Sequence, residues 1–395
     1  MIKDLIILGS TGSIGTSALN VIKKNKKKFR IKLLTTKSNI KSILSQAKEF
    51  NVKTVVIHDK KKYFKFENQF KKKKIKVYFK LDDATKILKQ KVYYTLNAIS
   101  GLEGLYPTNK IIKHTKNIAI ANKESIICGW KFIKKNLNKY NTNFIPIDSE
   151  HFSIWSLLKG ENIKNVKKIY LTASGGPFIN KSLSEIKNVK PNIALKHPNW
   201  KMGKKISIDS ATMMNKLFEV IEAKKIFDLK LDKFSIIIHP NSYVHAIVIF
   251  KTGLSKLLVH ETNMEIPILN SLCLKNEEYN FDYNEINFKK LNNMNFIKPK
   301  MGQFPLLKIL NTIPPIDSYF ETILISINDI LVEKYLKRKI SYISIHKTLL
   351  KLIKDPYFTR YYGISPRNIN DIKFMVNKVK KYLSNYHINK KYEKI

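Results

Sequence analysis

Short apolar runs without alternation punctuate the first third of the chain: Leu5-Ile6-Ile7-Leu8, Ile31-Lys32-Leu33-Leu34, Thr54-Val55-Val56-Ile57 and Ile118-Ala119-Ile120-Ala121. Such runs suit parallel strands covered on both faces. Between them the apolar spacing changes to a helical period, as at Ser17–Lys26 and Ile40–Phe50. The alternation predicts βαβ units over 1–147, hence an open, Rossmann-like parallel sheet with right-handed crossovers. From 148 to 274 the texture changes. Strand-like Lys168–Thr172 and Phe234–Ile238 lie among segments rich in Ser, Gly and His, which predicts a central α+β domain. A polar stretch at 275–300, rich in Asn, Lys and Glu, reads as a linker. Beyond it, Ser318 and Glu321 make a capping box, followed at helical spacing by Phe320, Ile323, Leu324, Ile327 and Leu331. Ile345, Thr348, Leu349 and Leu352 repeat that spacing, as do Ile372, Met375, Val376 and Val379, so 301–395 is predicted to be a helical bundle. The fold class is α/β in three parts.

Composition supports several packed cores: 395 residues, 44% of them hydrophobic and 11% aromatic, are too many for one domain and too apolar for disorder. Lys plus Arg is 73 against 30 Asp plus Glu, a net +43. That balance first suggests nucleic acid. Yet Arg30, Arg338, Arg360 and Arg367 are the only arginines, and base edges and phosphates favour arginine's planar fork. The lysines are scattered, so we read them as solvated faces, with a field that draws anionic substrates, and expect neither a nucleic-acid nor a membrane partner. No run reaches the ~18 apolar residues that would cross a bilayer. The opening Met1–Gly9 reads as a strand entering a turn rather than a signal peptide. With two cysteines, Cys128 and Cys273, the expected location is a reducing cytoplasm.

After the first strand, Gly9-Ser10-Thr11-Gly12-Ser13-Ile14-Gly15 opens a helix. Glycines there let the backbone approach a pyrophosphate, whose charge sits on the helix N-terminus. The second strand ends in Leu34-Thr35-Thr36-Lys37-Ser38-Asn39, with a cation where NAD readers carry a carboxylate. NADP is therefore the favoured dinucleotide.

Acidic residues are scarce, so their clusters carry weight. Ile147-Asp148-Ser149-Glu150 follows a strand-like run. In an extended chain the two carboxylates share one side and suit Mg²⁺ or Mn²⁺. Alternatively the segment caps a helix over His151–Leu158, which is the simpler reading when it is taken alone. Thr172–Phe178 places Ser174 and two glycines in a turn after a strand, either an anion nest or an ordinary loop. His197-Pro198-Asn199-Trp200-Lys201-Met202-Gly203 is either a buried aromatic segment or a closing lid. Asp209–Glu219 reads as a capped helix start. Ser210 at its N-terminus with Asn215 and Lys216 makes a phosphate cradle, and Asn215, Lys216 and Glu219 share a face. Glu222 is a rival to Glu219 by spacing, and a surface Lys216–Glu219 ion pair is the plainer alternative.

Together these segments resemble the 1-deoxy-D-xylulose 5-phosphate reductoisomerase family. The resemblance rests on Gly9–Gly15, Ala121-Asn122-Lys123-Glu124-Ser125, Asp148–Glu150, Ala173–Phe178, the block His197–Glu219, His239-Pro240-Asn241-Ser242 with His245, and Met264 before Pro267. It implies a homodimeric, NADPH-dependent enzyme using Mg²⁺ or Mn²⁺, with Co²⁺ as a further candidate. Such an enzyme rearranges 1-deoxy-D-xylulose 5-phosphate by a retro-aldol/aldol exchange and reduces the product to 2-C-methyl-D-erythritol 4-phosphate in non-mevalonate isoprenoid biosynthesis. By the same resemblance Asp148, Glu150 and Glu219 hold the metal. Ser174, His197, Ser210, Asn215 and Lys216 hold the substrate phosphate, Lys123 and Ser149 meet the carbon chain's oxygens, and Glu150, Trp200 and Glu219 complete the substrate-binding set. Lys123, Asp148, Glu150, His197 and Glu219 form the catalytic set. Thr11, Gly12, Ser13, Ile14, Asn122, Glu124 and Gly203 touch the dinucleotide, with Lys37, Ser38 and Asn39 at its 2′-phosphate. Trp200 and Met202 belong to a lid near 197–204. The family commonly has Gly-Lys-Asn where this chain has Lys37-Ser38-Asn39, which displaces the cation by one position. Glu103 puts an acid in a loop that is normally small and apolar.

Overall fold

The computed structural model describes residues 2–200, 202–274, 278–281 and 285–387, in two compact units. The first comprises 1–126, 130–152 and 263–286. Its elements are β1 (Lys3–Leu8), α1 (Ser13–Lys24), β2 (Phe29–Thr36), α2 (Ile40–Glu49), β3 (Thr54–Ile57), β4 (Lys76–Tyr78), β5 (Val92–Asn97), β6 (Thr115–Ile120), α3 (Lys123–Lys139) and β7 (Asn143–Pro146), and α4 (Ser149–Leu157) begins at its end. The strands form one parallel sheet in the order β4-β3-β2-β1-β5-β6-β7. Leu5 to Leu8 are fully buried, as a central strand covered on both faces demands. The strand order reverses between β1 and β5, and such a switch point opens a ligand crevice at the carboxyl ends. The candidate residues of this unit follow strands at that end: Thr11–Ile14 after β1, Lys37–Asn39 after β2, Asn122–Glu124 after β6, and Asp148–Glu150 after β7.

The second unit comprises 127–129, 153–262 and 287–395. Its sheet, β8 (Val166–Ala173), β9 (Phe234–Ile238), β10 (Val244–Phe250) and β11 (Ser255–Val259), is mixed, in the order β11-β10-β8-β9. Strands β8 and β9 run parallel, whereas β10 is antiparallel to β8 and β11. The helices α5 (Lys204–Ala211) and α6 (Met214–Phe227) follow β8 in the chain. From α6, Val220, Ala223 and Phe227 pack with Ile169 and Leu171 of β8, Val248 of β10, and Ile154 from the second half of α4. The C-terminal helices are α7 (Tyr319–Leu336), α8 (Tyr342–Leu352) and α9 (Ile369–Asn385). The expected capping box opens α7: Ser318 Oγ accepts from Phe320 N at 3.1 Å, and Glu321 Oε2 accepts from Ser318 N at 3.2 Å. Buried Lys225 of α6 pairs with Asp317 and, at 2.9 Å, with Glu321. Burial alone would lower its pKa, but those two charges outweigh it and raise it.

Two local expectations change. The chain at Asp148-Ser149-Glu150 is not extended: Asp148 O accepts from Phe152 N at 2.8 Å and α4 starts at Ser149, so the helix-capping reading holds. Asp209–Glu219 is not one helix start either. Thr212 Oγ1 bonds back to Ile208 O at 3.1 Å and Asp209 O at 3.2 Å, Met213 takes a left-handed φ of 62°, and α6 begins only at Met214. Ser210 therefore lies in the last turn of α5 rather than at a helix N-terminus.

Candidate active site

Within the first unit, the Gly-rich turn divides its glycines by task. Gly9 has φ +75°, and a Cβ there would sit 2.8 Å from Ala98 O; one on Gly15 would sit 2.5 Å from Gly9 O. These two build the turn. At Gly12 the nearest atom to a Cβ is 3.5 Å away, so its packing does not require glycine, whereas close approach of a ligand would. The hydroxyls of Thr35 and Thr36 at the end of β2 hold the turn through Gly9 N and Thr11 Oγ1, each at 2.8 Å. The first turn of α1 has neither a capping side chain nor an acid, which leaves the amide end at Ser13 and Ile14 suited to an anion. Lys37, Ser38 and Asn39 are exposed. Asn39 caps α2 through Ser42 N at 3.2 Å. Buried Asn122 donates to Gly101 O at 2.9 Å and Ser125 Oγ at 2.8 Å, bracing the Gly101–Gly104 loop, and half-buried Glu124 follows in the first turn of α3.

At the end of β7, Lys123 Nζ donates to Asp148 Oδ2, and Ser149 Oγ donates to Glu150 Oε2 at 2.6 Å. Ligand atoms of Asp148 and Glu150 lie within 4.8 Å of each other, as do those of Asp148 and His151. His151, fully buried, is a candidate that the sequence reading passed over, although it directly follows Glu150.

Within the second unit, His197 sits at the centre of an ordered set of hydrogen bonds. Its Nδ1 accepts from Asn199 N at 3.2 Å and Trp200 N at 3.0 Å. A nitrogen that accepts cannot carry the ring proton in the neutral imidazole, so Nε2–H is the donor to Ser174 Oγ, 3.0 Å away. Ser174 Oγ also accepts from Gly176 N at 3.1 Å. Gly176 has φ +67°, and a Cβ there would lie 3.1 Å from Ala211 Cα and 3.2 Å from Ser210 O, so the Ser174 turn packs directly on the end of α5. Asn199 Nδ2 donates to Pro240 O at 2.6 Å and Ser242 Oγ at 2.8 Å, and the Trp200 ring meets His245 edge-on at 6.1 Å. These contacts tie the predicted lid to the loop at 239–243 and to His245 of β10. Lys201 lies outside the described residues. Half-buried Met202 precedes exposed Gly203, the N-cap of α5, where a Cβ would meet nothing. His245 stacks on His260 at 3.7 Å. Burial first, then the neighbouring His260, hold its pKa well below the ordinary range, so the ring is neutral.

On α6, Asn215 Nδ2 donates to Glu219 Oε1 at 2.5 Å, and Lys216 Nζ pairs with Glu219 Oε2. The three residues share a face as their spacing requires. Both ends of the ion pair are buried, Lys216 at 4% and Glu219 at 1% exposure, which rules out a surface salt bridge. Glu222, at 2%, is equally sequestered. Ile154 of α4 packs with Val220 and Ala223, the sequence neighbours of Glu219 and Glu222. Glu150 and His151 lie one helical turn before Ile154.

Three family models match the chain. Residues 5–129 match 1-deoxy-D-xylulose 5-phosphate reductoisomerase, 144–227 match its C-terminal domain, and 260–382 match the DXP reductoisomerase C-terminal domain. The 1-deoxy-D-xylulose 5-phosphate reductoisomerase of Pelagibacter ubique is 51% identical over 373 residues, covering 94% of this chain and 96% of that protein. The enzyme of Wolbachia pipientis wMel is 40% identical, covering 87% and 88%. Among solved structures, the Zymomonas mobilis reductoisomerase in complex with NADPH superposes with a TM-score of 0.88 at 30% identity, covering 97% of this chain and 98% of that one. A DOX-P reductoisomerase solved with NADPH, fosmidomycin and magnesium gives the same score, identity and coverage. Likeness along nearly the whole length, in sequence and in fold, makes this chain a member of the 1-deoxy-D-xylulose 5-phosphate reductoisomerase family.

Proposed function

We propose that one divalent ion, held by Asp148, Glu150 and Glu219, and a phosphate cradle of Ser174, His197, Ser210, Asn215 and Lys216 are the working parts of this site. The chain is an NADPH- and divalent-metal-dependent reductoisomerase. It isomerises 1-deoxy-D-xylulose 5-phosphate by retro-aldol/aldol exchange and reduces the product to 2-C-methyl-D-erythritol 4-phosphate for non-mevalonate isoprenoid synthesis. An all-carboxylate donor set fits a hard cation, Mg²⁺ foremost and Mn²⁺ or Co²⁺ as substitutes. Such a cation supplies Lewis-acid chemistry at the substrate's oxygens, and NADPH supplies hydride.

Ser174 carries the phosphate assignment. Its oxygen already accepts from His197 Nε2 and Gly176 N, so its own proton is left to donate to solvent or to a ligand oxygen. A phosphate oxygen is the acceptor this substrate brings, with Ser210 next to the same turn. Lys123, beside Asp148, donates to a carbon-chain oxygen of the substrate in this reading, and Ser149, whose proton goes to Glu150, accepts from a substrate hydroxyl. Holding both ends lets proximity carry much of the rearrangement. Trp200 and Met202 in the 197–204 lid shield the site from water. Thr11–Ile14, Asn122, Glu124 and Gly203 border the dinucleotide, and Lys37, Ser38 and Asn39 meet its 2′-phosphate.

We assign dinucleotide binding to 1–147, catalysis and metal binding to 148–274, a connection to 275–300 and helical support to 301–395. A chain with only two cysteines, Cys128 and Cys273, favours a reducing, cytoplasmic setting, and no described helix is long and apolar enough to cross a membrane. The outer strand β11, with exposed Leu257 at its centre and exposed Leu254 just before it, suits burial in a homodimer. Alanine at Ser174 tests the cradle: the Michaelis constant for 1-deoxy-D-xylulose 5-phosphate should rise while that for NADPH stays. Equal change in both would remove the assignment.

A further inference from the structure

Among the C-terminal helices, α7 and α8 send two buried polar groups toward the end of α5. Tyr342, 1% exposed, donates from its hydroxyl to Ala211 O at 2.8 Å. Its ring also packs edge-on against Phe178 at 5.4 Å, in the turn that carries Ser174 and Gly176. One side chain thus touches both pieces of the cradle, the Ser174 turn through its ring and the Ser210–Ala211 end through its hydroxyl. Asn328 is fully buried in the apolar interior of α7, and its Nδ2 donates to Asp209 Oδ1 at 2.7 Å. Asp209, itself buried, also pairs with Lys205 at 3.2 Å, and Lys205 reaches Asp329 of α7 at 3.0 Å. An amide in such surroundings costs stability. It is offset here by a bond to the residue directly before Ser210.

We infer that Tyr342 and Asn328 are positioning residues for substrate phosphate: they fix the last turn of α5 against the Ser174 turn, so that the Ser174 and Ser210 hydroxyls converge. This rests on the phosphate reading of Ser174 and Ser210 given above. The C-terminal helices are then the rear wall of the phosphate site, acting on it without touching the ligand. Burial holds the Tyr342 phenol well above its usual pKa, which keeps it a donor.

The test compares Tyr342→Phe, which keeps the ring contact and removes the Ala211 bond, with Asn328→Leu and Ser210→Ala in the full chain. The readouts are the Michaelis constants for 1-deoxy-D-xylulose 5-phosphate and NADPH, kcat, competitive inhibition by inorganic phosphate, and thermal stability. Loss of one such bond should raise the substrate's Michaelis constant and the phosphate inhibition constant together, by about fivefold in each positioning variant. Values of kcat and the NADPH constant should be nearly unchanged. If Ser210→Ala weakens phosphate but both positioning variants lower only thermal stability, the inference is overturned while the cradle stands. If Ser210→Ala leaves phosphate inhibition unmoved, the cradle reading fails and takes the inference with it.

Discussion

Glu219→Gln separates a metal ligand from a structural acid more sharply than any other single change. Glu219 is buried, its two oxygens engaged by Asn215 and Lys216, and Lys216 is buried with it. Neutralising one member of such a pair strands the other charge, at a cost of about 3–5 kcal/mol. Glutamine keeps the shape and one acceptor for Lys216, so the lower end, about 3 kcal/mol, is expected. The second effect is on the ion. Saturating Mg²⁺ at a hundredfold over its dissociation constant should stabilise the unchanged protein by about 2.7 kcal/mol, and that gain should vanish in the variant. Turnover should fall at least about a thousandfold, the worth of several kcal/mol of lost charge stabilisation. NADPH binding should persist. Denaturant titrations with and without Mg²⁺, NADPH fluorescence titration and steady-state turnover read the three quantities separately. A variant that still gains the full stabilisation from Mg²⁺ would show that Glu219 holds no metal, and equal loss of NADPH binding would show that it only supports the fold.

Ser174→Ala removes a donor to a charged phosphate and should lower kcat/KM for 1-deoxy-D-xylulose 5-phosphate by about 10- to 150-fold, from about 1.5–3 kcal/mol; an unchanged value refutes the proton count at Ser174. Gly12→Ala, where a Cβ has 3.5 Å of room, should leave stability intact and weaken NADPH, whereas Gly15→Ala, at 2.5 Å from Gly9 O, should destabilise the first unit. Equal melting temperatures for the two variants would contradict that division. Burial lowers His346 in the folded state to about 4 from 6.5. Above pH 6.5 both folded and unfolded states are neutral there. Between 6.5 and about 4 only the unfolded state takes the proton, so stability should fall with pH by about 3 kcal/mol and level off below. His346→Gln should flatten that part of the pH profile of unfolding, and an unaltered profile would exclude His346 as its source.

Much of the first unit was legible because covered strands are largely apolar: β1, β3 and β6 carry unbroken apolar runs, and β2 one interrupted by Lys32. Strand β5, Val-Tyr-Tyr-Thr-Leu-Asn, mixes polar groups into the same role, since Tyr94 finds Ser271 Oγ at 2.6 Å and Asn97 finds Gly104 O at 3.1 Å. Its place beside β1, and with it the switch point, is a tertiary fact. The shared face of Asn215, Lys216 and Glu219 follows from helical spacing alone. The burial of Lys216 and Glu219 does not, because α6 is enclosed nearly all round and shows no polar stripe. Neither does the break before α6, since methionine at 213 has none of glycine's freedom at positive φ. Asn328 and Tyr342, which bond Asp209 and Ala211, lie more than a hundred residues further along the chain. No local pattern announces a buried Asn whose partner is a distant carboxylate or a buried Tyr whose partner is a distant backbone carbonyl.

One measurement bears most directly on the whole account: NADPH absorbance followed after addition of 1-deoxy-D-xylulose 5-phosphate, first with a chelator present and then with Mg²⁺ restored. Absorbance should hold steady under chelation and fall once the metal returns. Oxidation at the same rate in both conditions would describe a metal-independent NADP dehydrogenase, and would remove Asp148, Glu150 and Glu219 from the chemistry.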